Sequence, residues 1–255
     1  MANPKIFPAK LELYTLSATS TDPAYPLSNL QTYVAADRWH SNSTGASQVL
    51  VIDFGSAVSK NFLVIQGHNF PAAYTDRGFT LIGADSADLL TNPVTYATGL
   101  EAAADPQFYS FAAGTKRFWG INFGNHGVNV APQLGNLFLG TSLDFEFPYE
   151  TPKVGDVQYT TVRVVTLSGL IRKSQPYGGN VILDFQLKMF TDTFKANYRI
   201  FRSTVQGSLR PFYFLDGDGT TLYYVYDMTD YNAPEWKNYN QNNFSLKMEG
   251  QLANL

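Results

Sequence analysis

The sequence contains no cysteine, which excludes a disulfide framework, a thiolate metal site and a cysteine nucleophile. Charge is scarce as well: Asp, Glu, Lys and Arg make up 15% of the chain, against a usual share of about 25%. The 18 basic and 21 acidic residues leave a formal charge of −3 with no dense basic block, so a row of phosphates would find no matching field and direct nucleic-acid binding is not expected. No segment approaches the roughly 20 apolar residues of a membrane helix. The opening "MANPKIFPAKLEL" lacks a basic stretch followed by an apolar core. The expectation is a soluble chain with no signal peptide and no membrane insertion. Signatures of common chemistry are missing too: no Gly-x-Ser-x-Gly elbow, no phosphate-cradling glycine loop and no His-Glu-x-x-His helix.

What the chain does have is aromatic side chains, 15% of its 255 residues. A surface so poor in charge and rich in rings suits a subunit covered within an assembly. The apolar residues come in short runs rich in Val, Ile, Phe and Tyr, separated by Gly, Pro, Asn and Asp, which is the pattern of a sandwich or barrel. In the first half these are "QVLVIDFG" (48–55), "NFLVIQG" (61–67), "GFTLIGA" (78–84), "QFYSFA" (107–112), "RFWGINFG" (117–124) and "NLFLGTSLDF" (136–145). The first two read as adjacent strands flanking a polar turn, with "GHNF" closing the second. Several runs are apolar almost throughout, so both faces of those strands are expected to be covered. Residues 26–39 read as an entry segment with a helical turn, and "DSADLLTNP" (85–93) as a short helix stopped by Pro93.

"FEFPYETPKVGD" (145–156) breaks this rhythm and places a domain boundary near residue 150, giving domains 1–150 and 151–255. Beyond it, "VILDFQLKMF" (181–190) and residues 244–249 alternate apolar and polar as half-buried strands do. Between Asp192 and Gln206 the period changes. Phe194, Tyr198, Phe201 and Val205 recur at helical spacing, with Thr191 or Asp192 as cap and Gly207 as stop, predicting a helix over about 192–206. "RPFYFLDGDGTTLYYVYD" (210–227) reads as a hairpin. The fold class is therefore mainly β: an N-terminal β-sandwich and a C-terminal β-rich domain crossed by one α-helix.

The candidate sites are few. His40, His68 and His126 lack the close spacing that puts two metal ligands on one element, so neither a metal site nor a cofactor is expected. His68, in "QGHNF", reads as a structural loop residue. "DGDGT" (216–220) spaces Asp216, Asp218 and Thr220 like the first ligands of a calcium loop, but Thr221 stands where glycine is required and Asp227 where a longer Glu belongs. A hairpin turn is the better account. Trp39 and Trp119 could stack on sugar rings, yet both lie beside strand-like residues and read as core. For a glycan, the loop residues Tyr74, Arg77, Asn125 and His126 are better contacts. A glycosidase needs two carboxylates facing one cleft, whereas Asp53, Asp76, Asp85, Glu101 and Asp105 are scattered through turns, so no enzyme is expected.

The runs "YPLSNLQ", "DRWHS", "SQVLVIDFGSAVSKNFLVIQGHNF", "FWGINFG" and "GNLFLGTSLDF" together resemble the discoidin-like, galactose-binding-like jelly-roll module found in bacteriophage tail proteins, over residues 20–145. The second half is similar to distal-tail-type proteins through "SGLIRK" (168–173), "ILDFQLKMF", the helix from Asp192 and "RPFYFLD" (210–216). The chain departs from many secreted discoidin domains in lacking their cysteine pair and a recognisable calcium cage. The resemblance implies a virion structural protein made in the host cytoplasm: a tail-tip or baseplate subunit, homo-oligomeric, whose ring joins the tail tube to the hub and to receptor-binding proteins. The alternatives are a carbohydrate-binding module that adheres to a host-surface glycan, and a glycan-cleaving enzyme.

Overall fold

The computed structural model describes residues 3–34, 36–44, 48–69, 78–100, 105–123, 131–146, 153–154, 162–165, 171–174, 181–207, 209–228 and 242–252. The chain divides into two units, one spanning Phe7–Ser142 and the other joining Met1–Ile6 to Leu143–Leu255. The first six residues thus group with the C-terminal half, and the division falls between Ser142 and Leu143.

Strand β1 (Lys5–Phe7) opens the chain. The Phe7–Ser142 unit then contains β2 (Thr15–Ala18), β3 (Trp39–His40), β4 (Val49–Gln66), β5 (Gly78–Ala84), β6 (Val94–Leu100), β7 (Gln107–Asn122), β8 (Gln133–Leu134) and β9 (Asn136–Gly140). A 3-10 helix at Leu27–Gln31 supplies the helical turn expected in the entry segment. The main sheet runs β2-β4-β7-β5-β6, with β9 paired to β4 and a small β3–β8 ladder apart from it.

The runs 48–55 and 61–67 are not two strands joined by a turn. They are the two halves of β4, one bent 18-residue strand, and both halves pair with β7 instead of with each other. Val49–Asp53 lies against Phe118–Asn122 and Phe62–Ile65 against Gln107–Ser110, with register breaks between Asp53 and Val58 and between Lys60 and Phe62. Gly55, at φ +74° with open space beside it, helps the polar middle bend without reversing direction. The runs at 107–112 and 117–124 merge into β7 for the same reason.

Pleating puts Leu50, Ile52, Leu81, Trp119 and Ile121 on one face of this sheet, where all are buried. Phe62, Leu63, Val64 and Ile65 are each at most 1% exposed, so this stretch is covered on both faces. Residues 85–93 form turns and not a helix. Asp88 accepts from Ser86 Oγ and from the Leu90 N–H (2.9 Å), a local alternative to helical bonding. Leu89 takes φ +60° and seats its side chain on Gly120, where a Cβ would lie 2.1 Å from Leu89 Cδ1.

The second unit contains β10 (Leu143–Asp144), β11 (Lys153–Val154), β12 (Val162–Val165), β13 (Ile171–Ser174), β14 (Val181–Phe190), α1 (Asp192–Val205), β15 (Phe212–Leu215), β16 (Leu222–Asp227) and β17 (Asn242–Leu252). Its seven-stranded sheet is ordered β10-β1-β15-β16-β17-β14-β11, and β12 pairs with β13 separately. Helix α1 begins as its sequence dictates: Thr191 Oγ1 accepts from the Phe194 N–H at 3.2 Å. It ends where Gln206 and Gly207 take left-handed φ values of +51° and +65°. Phe194, Phe201 and Val205 are buried against Phe212, Phe214, Val225 and Met248. Phe201 meets Phe212 edge-on at 4.9 Å, an arrangement that adds about 0.5–1.5 kcal/mol beyond the buried area. The 216–221 segment is a hairpin turn, in which Asp218 Oδ1 accepts from the N–H groups of Thr220 (2.7 Å) and Thr221 (2.8 Å). Among the described residues no helix is long and apolar enough to cross a membrane.

Candidate functional site

One end of the Phe7–Ser142 unit gathers short polar segments around β3 and β8. Opposite each other in that ladder stand His40 and Gln133, and the Ser41 N–H donates to Pro132 O at 2.9 Å. Asn69 ties the next segment to the same place, donating from Nδ2 to Ala131 O (2.8 Å) and accepting at Oδ1 from the Gln133 N–H (2.9 Å). Gly67, with φ +71°, turns the chain out of β4. Its N–H donates to the carboxylate of Asp105, at 2.8 and 3.0 Å from the two oxygens.

His68 follows that turn. Its side chain is 2% exposed and its Nε2 stands 3.8 Å from Asp105 Oδ1, too long for a hydrogen bond. So buried, the ring cannot meet a ligand from solvent. Trp39 and Trp119 are fully buried. Trp39 donates from Nε1 to Thr21 Oγ1 (3.2 Å), and Trp119 donates to Lys116 O (3.1 Å) while packing 4.7 Å from Tyr96. Neither indole offers a free face. Tyr74, Arg77, Asn125 and His126 lie outside the described residues.

The feature that the sequence reading passed over is Tyr25. Its ring stacks on the imidazole of His40 with centroids 3.7 Å apart and planes 15° from parallel, while 43% of the residue remains exposed. The backbone fixes the pair: the His40 N–H donates to Tyr25 O (3.2 Å), and the Asp22 and Tyr25 N–H groups donate to His40 O and Asp22 O, each at 2.9 Å. Burial holds the His40 pKa below its ordinary value, Asp22 opposes that shift and Arg38 reinforces it. The signal in the sequence was an aromatic residue in the proline-flanked, polar loop "TDPAYPLS", where no strand or helix pattern accounts for it.

Behind the stack, Ser20 Oγ lies 2.5 Å from Ser41 Oγ and donates to Gln48 Oε1 at 2.6 Å. These hydroxyls end on an amide, which cannot serve as a base. Among the described residues no group of three or more His, Asp or Glu side chains could hold a metal ion. A concavity of about 410 Å³ lies elsewhere on this unit, lined by Ser17, Thr19, Val51, Ile82, Asp88 and Leu90. Thr19 and Asp88 are already bonded to neighbouring backbone, so its polar lining is largely satisfied from within.

No protein-family model matches the chain, and no curated protein matches it. Among solved structures it is similar to a selenomethionine-labelled mutant of chitosan-binding module 1 from a Paenibacillus sp. IK-5 chitosanase/glucanase, at 19% identity and TM-score 0.44 over 52% of this chain and 98% of that one. It is also similar to module 2 of the same enzyme in complex with chitotriose, at 18% identity and TM-score 0.43 over 50% and 95% of the two chains. A third likeness is the family 32 carbohydrate-binding module of C. perfringens NanJ in complex with galactose, at 16% identity and TM-score 0.42 over 52% and 98%. At such identities and TM-scores, these likenesses decide nothing about a ligand of this chain.

Proposed function

We propose that the Phe7–Ser142 unit is a non-catalytic carbohydrate-binding module whose platform is Tyr25. The observation that carries this reading is the half-exposed Tyr25 ring held parallel on His40. A sugar presents one apolar face of C–H groups and a rim of hydroxyls. It is best met by a rigid ring beside polar loop groups, and here Asp22, whose carbonyl accepts from the Tyr25 N–H, and Arg38 lie within reach of the Tyr25–His40 stack. A ring already stacked on one side loses little freedom when a ligand covers the other. Two of the similar modules are in complex with chitotriose and galactose; the reading takes its support from Tyr25 and not from them.

The same reading makes the chain a binder, and the hydroxyls near the platform end on the Gln48 amide, which cannot serve as a base. The further reading, a ring-forming subunit of a phage tail, rests on the sequence resemblance alone, and no geometry of the described residues adds to it. A glycan array probed with the whole chain and with Tyr25→Ala tests the binding reading. Signal on a defined set of glycans that disappears in the variant supports it. An array with no signal at millimolar sugar overturns it, as does binding that Tyr25→Ala leaves intact. Incubation with any glycan that binds should release no reducing ends.

A further inference from the structure

We propose that sugar binding at Tyr25 is weakened by acid, the imidazole of His40 being the group whose protonation releases a neutral glycan. The inference rests on the reading of Tyr25 as a binding platform and adds a mode of regulation to it.

The two rings are stacked with centroids 3.7 Å apart and planes 15° from parallel. One face of the phenol ring is thereby given to the imidazole, and a ligand has only the other. Main-chain hydrogen bonds hold the pair in register: the His40 N–H donates to Tyr25 O, the Asp22 N–H to His40 O and the Tyr25 N–H to Asp22 O.

Histidine is the side chain whose ordinary pKa, about 6.5, lies within the neutral range. Burial lowers this one, Asp22 on the loop carrying Tyr25 raises it, and Arg38 on the segment before β3 lowers it. Strand β8, which faces His40 through Gln133, carries only Gln133 and Leu134 and brings no charge. Ser20, Ser41 and Gln48 behind the stack are uncharged. Among the described residues no carboxylate forms an ion pair with the imidazole, and Asp22 Oδ1 accepts from the Ala24 N–H at 2.9 Å.

A proton taken up by His40 therefore leans on the Tyr25 ring, whose electron-rich face attracts a cation. The C–H groups of a sugar seek the same electrons from the opposite face. Charge on the imidazole draws ring density toward itself and leaves the outer face a poorer partner. A sugar seated over Tyr25 also displaces water from the stack, and loss of water disfavours the charged imidazole. Both effects carry the same sign. The ligand binds the neutral form more tightly, and by linkage a bound ligand makes His40 harder to protonate.

The test uses the whole folded chain, with methyl β-galactopyranoside and methyl β-glucopyranoside as neutral probes titrated calorimetrically in steps from about pH 8 to about pH 5. In parallel, the imidazole signals of His40, assigned by their loss in His40→Gln, are followed by NMR with and without saturating sugar. The dissociation constant should rise at least about fivefold across the His40 titration. The midpoint of that titration should move to lower pH when sugar is bound, and His40→Gln should bind with an affinity that no longer depends on pH. Affinity that is independent of pH in the unmutated chain, or a pH dependence that His40→Gln retains, overturns the proposal and leaves the platform standing. Should the variant bind neither probe, the midpoint in the unmutated chain decides, and one that sugar does not move overturns the proposal. Failure of both probes to bind at millimolar concentration and about pH 8 overturns release of a neutral sugar, while the glycan array with Tyr25→Ala decides the platform separately.

Discussion

The rings of Tyr25 and His40 lie 3.7 Å apart and nearly parallel at the surface of the Phe7–Ser142 unit. Because 43% of Tyr25 is exposed, its removal should affect a ligand far more than the fold. Tyr25→Ala is expected to weaken glycan binding by at least about tenfold, as truncation of a central aromatic contact does. Isothermal titration beside a thermal melt separates the two effects, and a large drop in melting temperature with unchanged affinity would count against the platform.

The same stack should respond to pH. The His40 pKa is held below its ordinary value by burial, so the folded state takes up this proton at lower pH than the unfolded chain does. The stability tied to the neutral imidazole is whole above the ordinary histidine pKa of about 6.5, and it is lost as pH falls toward the folded value. Melting temperatures measured downward from neutral pH should decline through that window, and His40→Gln should flatten the decline.

Gly114 tests the packing of the sandwich. A Cβ there would lie 2.1–2.2 Å from the Tyr96 ring, and that ring is wedged against Phe111 and Trp119. Gly114→Ala should cost about 1–3 kcal/mol in urea denaturation, whereas an alanine that leaves the midpoint unchanged would mean Tyr96 is free to move.

In the second unit, Thr191 caps α1 and is itself held by Glu146, whose Oε2 accepts from the Thr191 N–H at 3.0 Å. Thr191→Ala should destabilise the unit by about 1 kcal/mol. Thr191→Ser should retain most of the cap.

The sequence made some of this architecture plain and concealed the rest, for physical reasons. Helix α1 was legible because Phe194, Phe201 and Val205 repeat at helical spacing between a threonine cap and a glycine stop. The strands were legible as apolar runs, but the continuity of β4 was not. A polar segment such as 55–60 looks the same whether it turns or merely bends, and only the β7 partner decides. The 85–93 segment looked helical because nothing local reveals that Leu89 docks on Gly120 from a left-handed backbone. Strand β6 went unread because "VTYATGL" mixes small, polar and apolar residues too evenly. At the candidate site, the sequence places His68 at the end of an apolar run, but its burial beside Asp105 depends on a residue 37 positions away. Tyr25 was hidden because a single aromatic in a loop has no periodic signature.

Ile6 and Leu143 are direct ladder partners in the β1–β10 pairing. The chain therefore leaves one sheet at the end of β1, builds the sandwich up to Ser142, and re-enters the same sheet at the adjacent strand. Topologically the sandwich occupies the place of a hairpin loop. Antiparallel neighbours can be joined by as few as about two residues, so the whole of Phe7–Ser142 is an insertion between two strands that a short turn could otherwise connect.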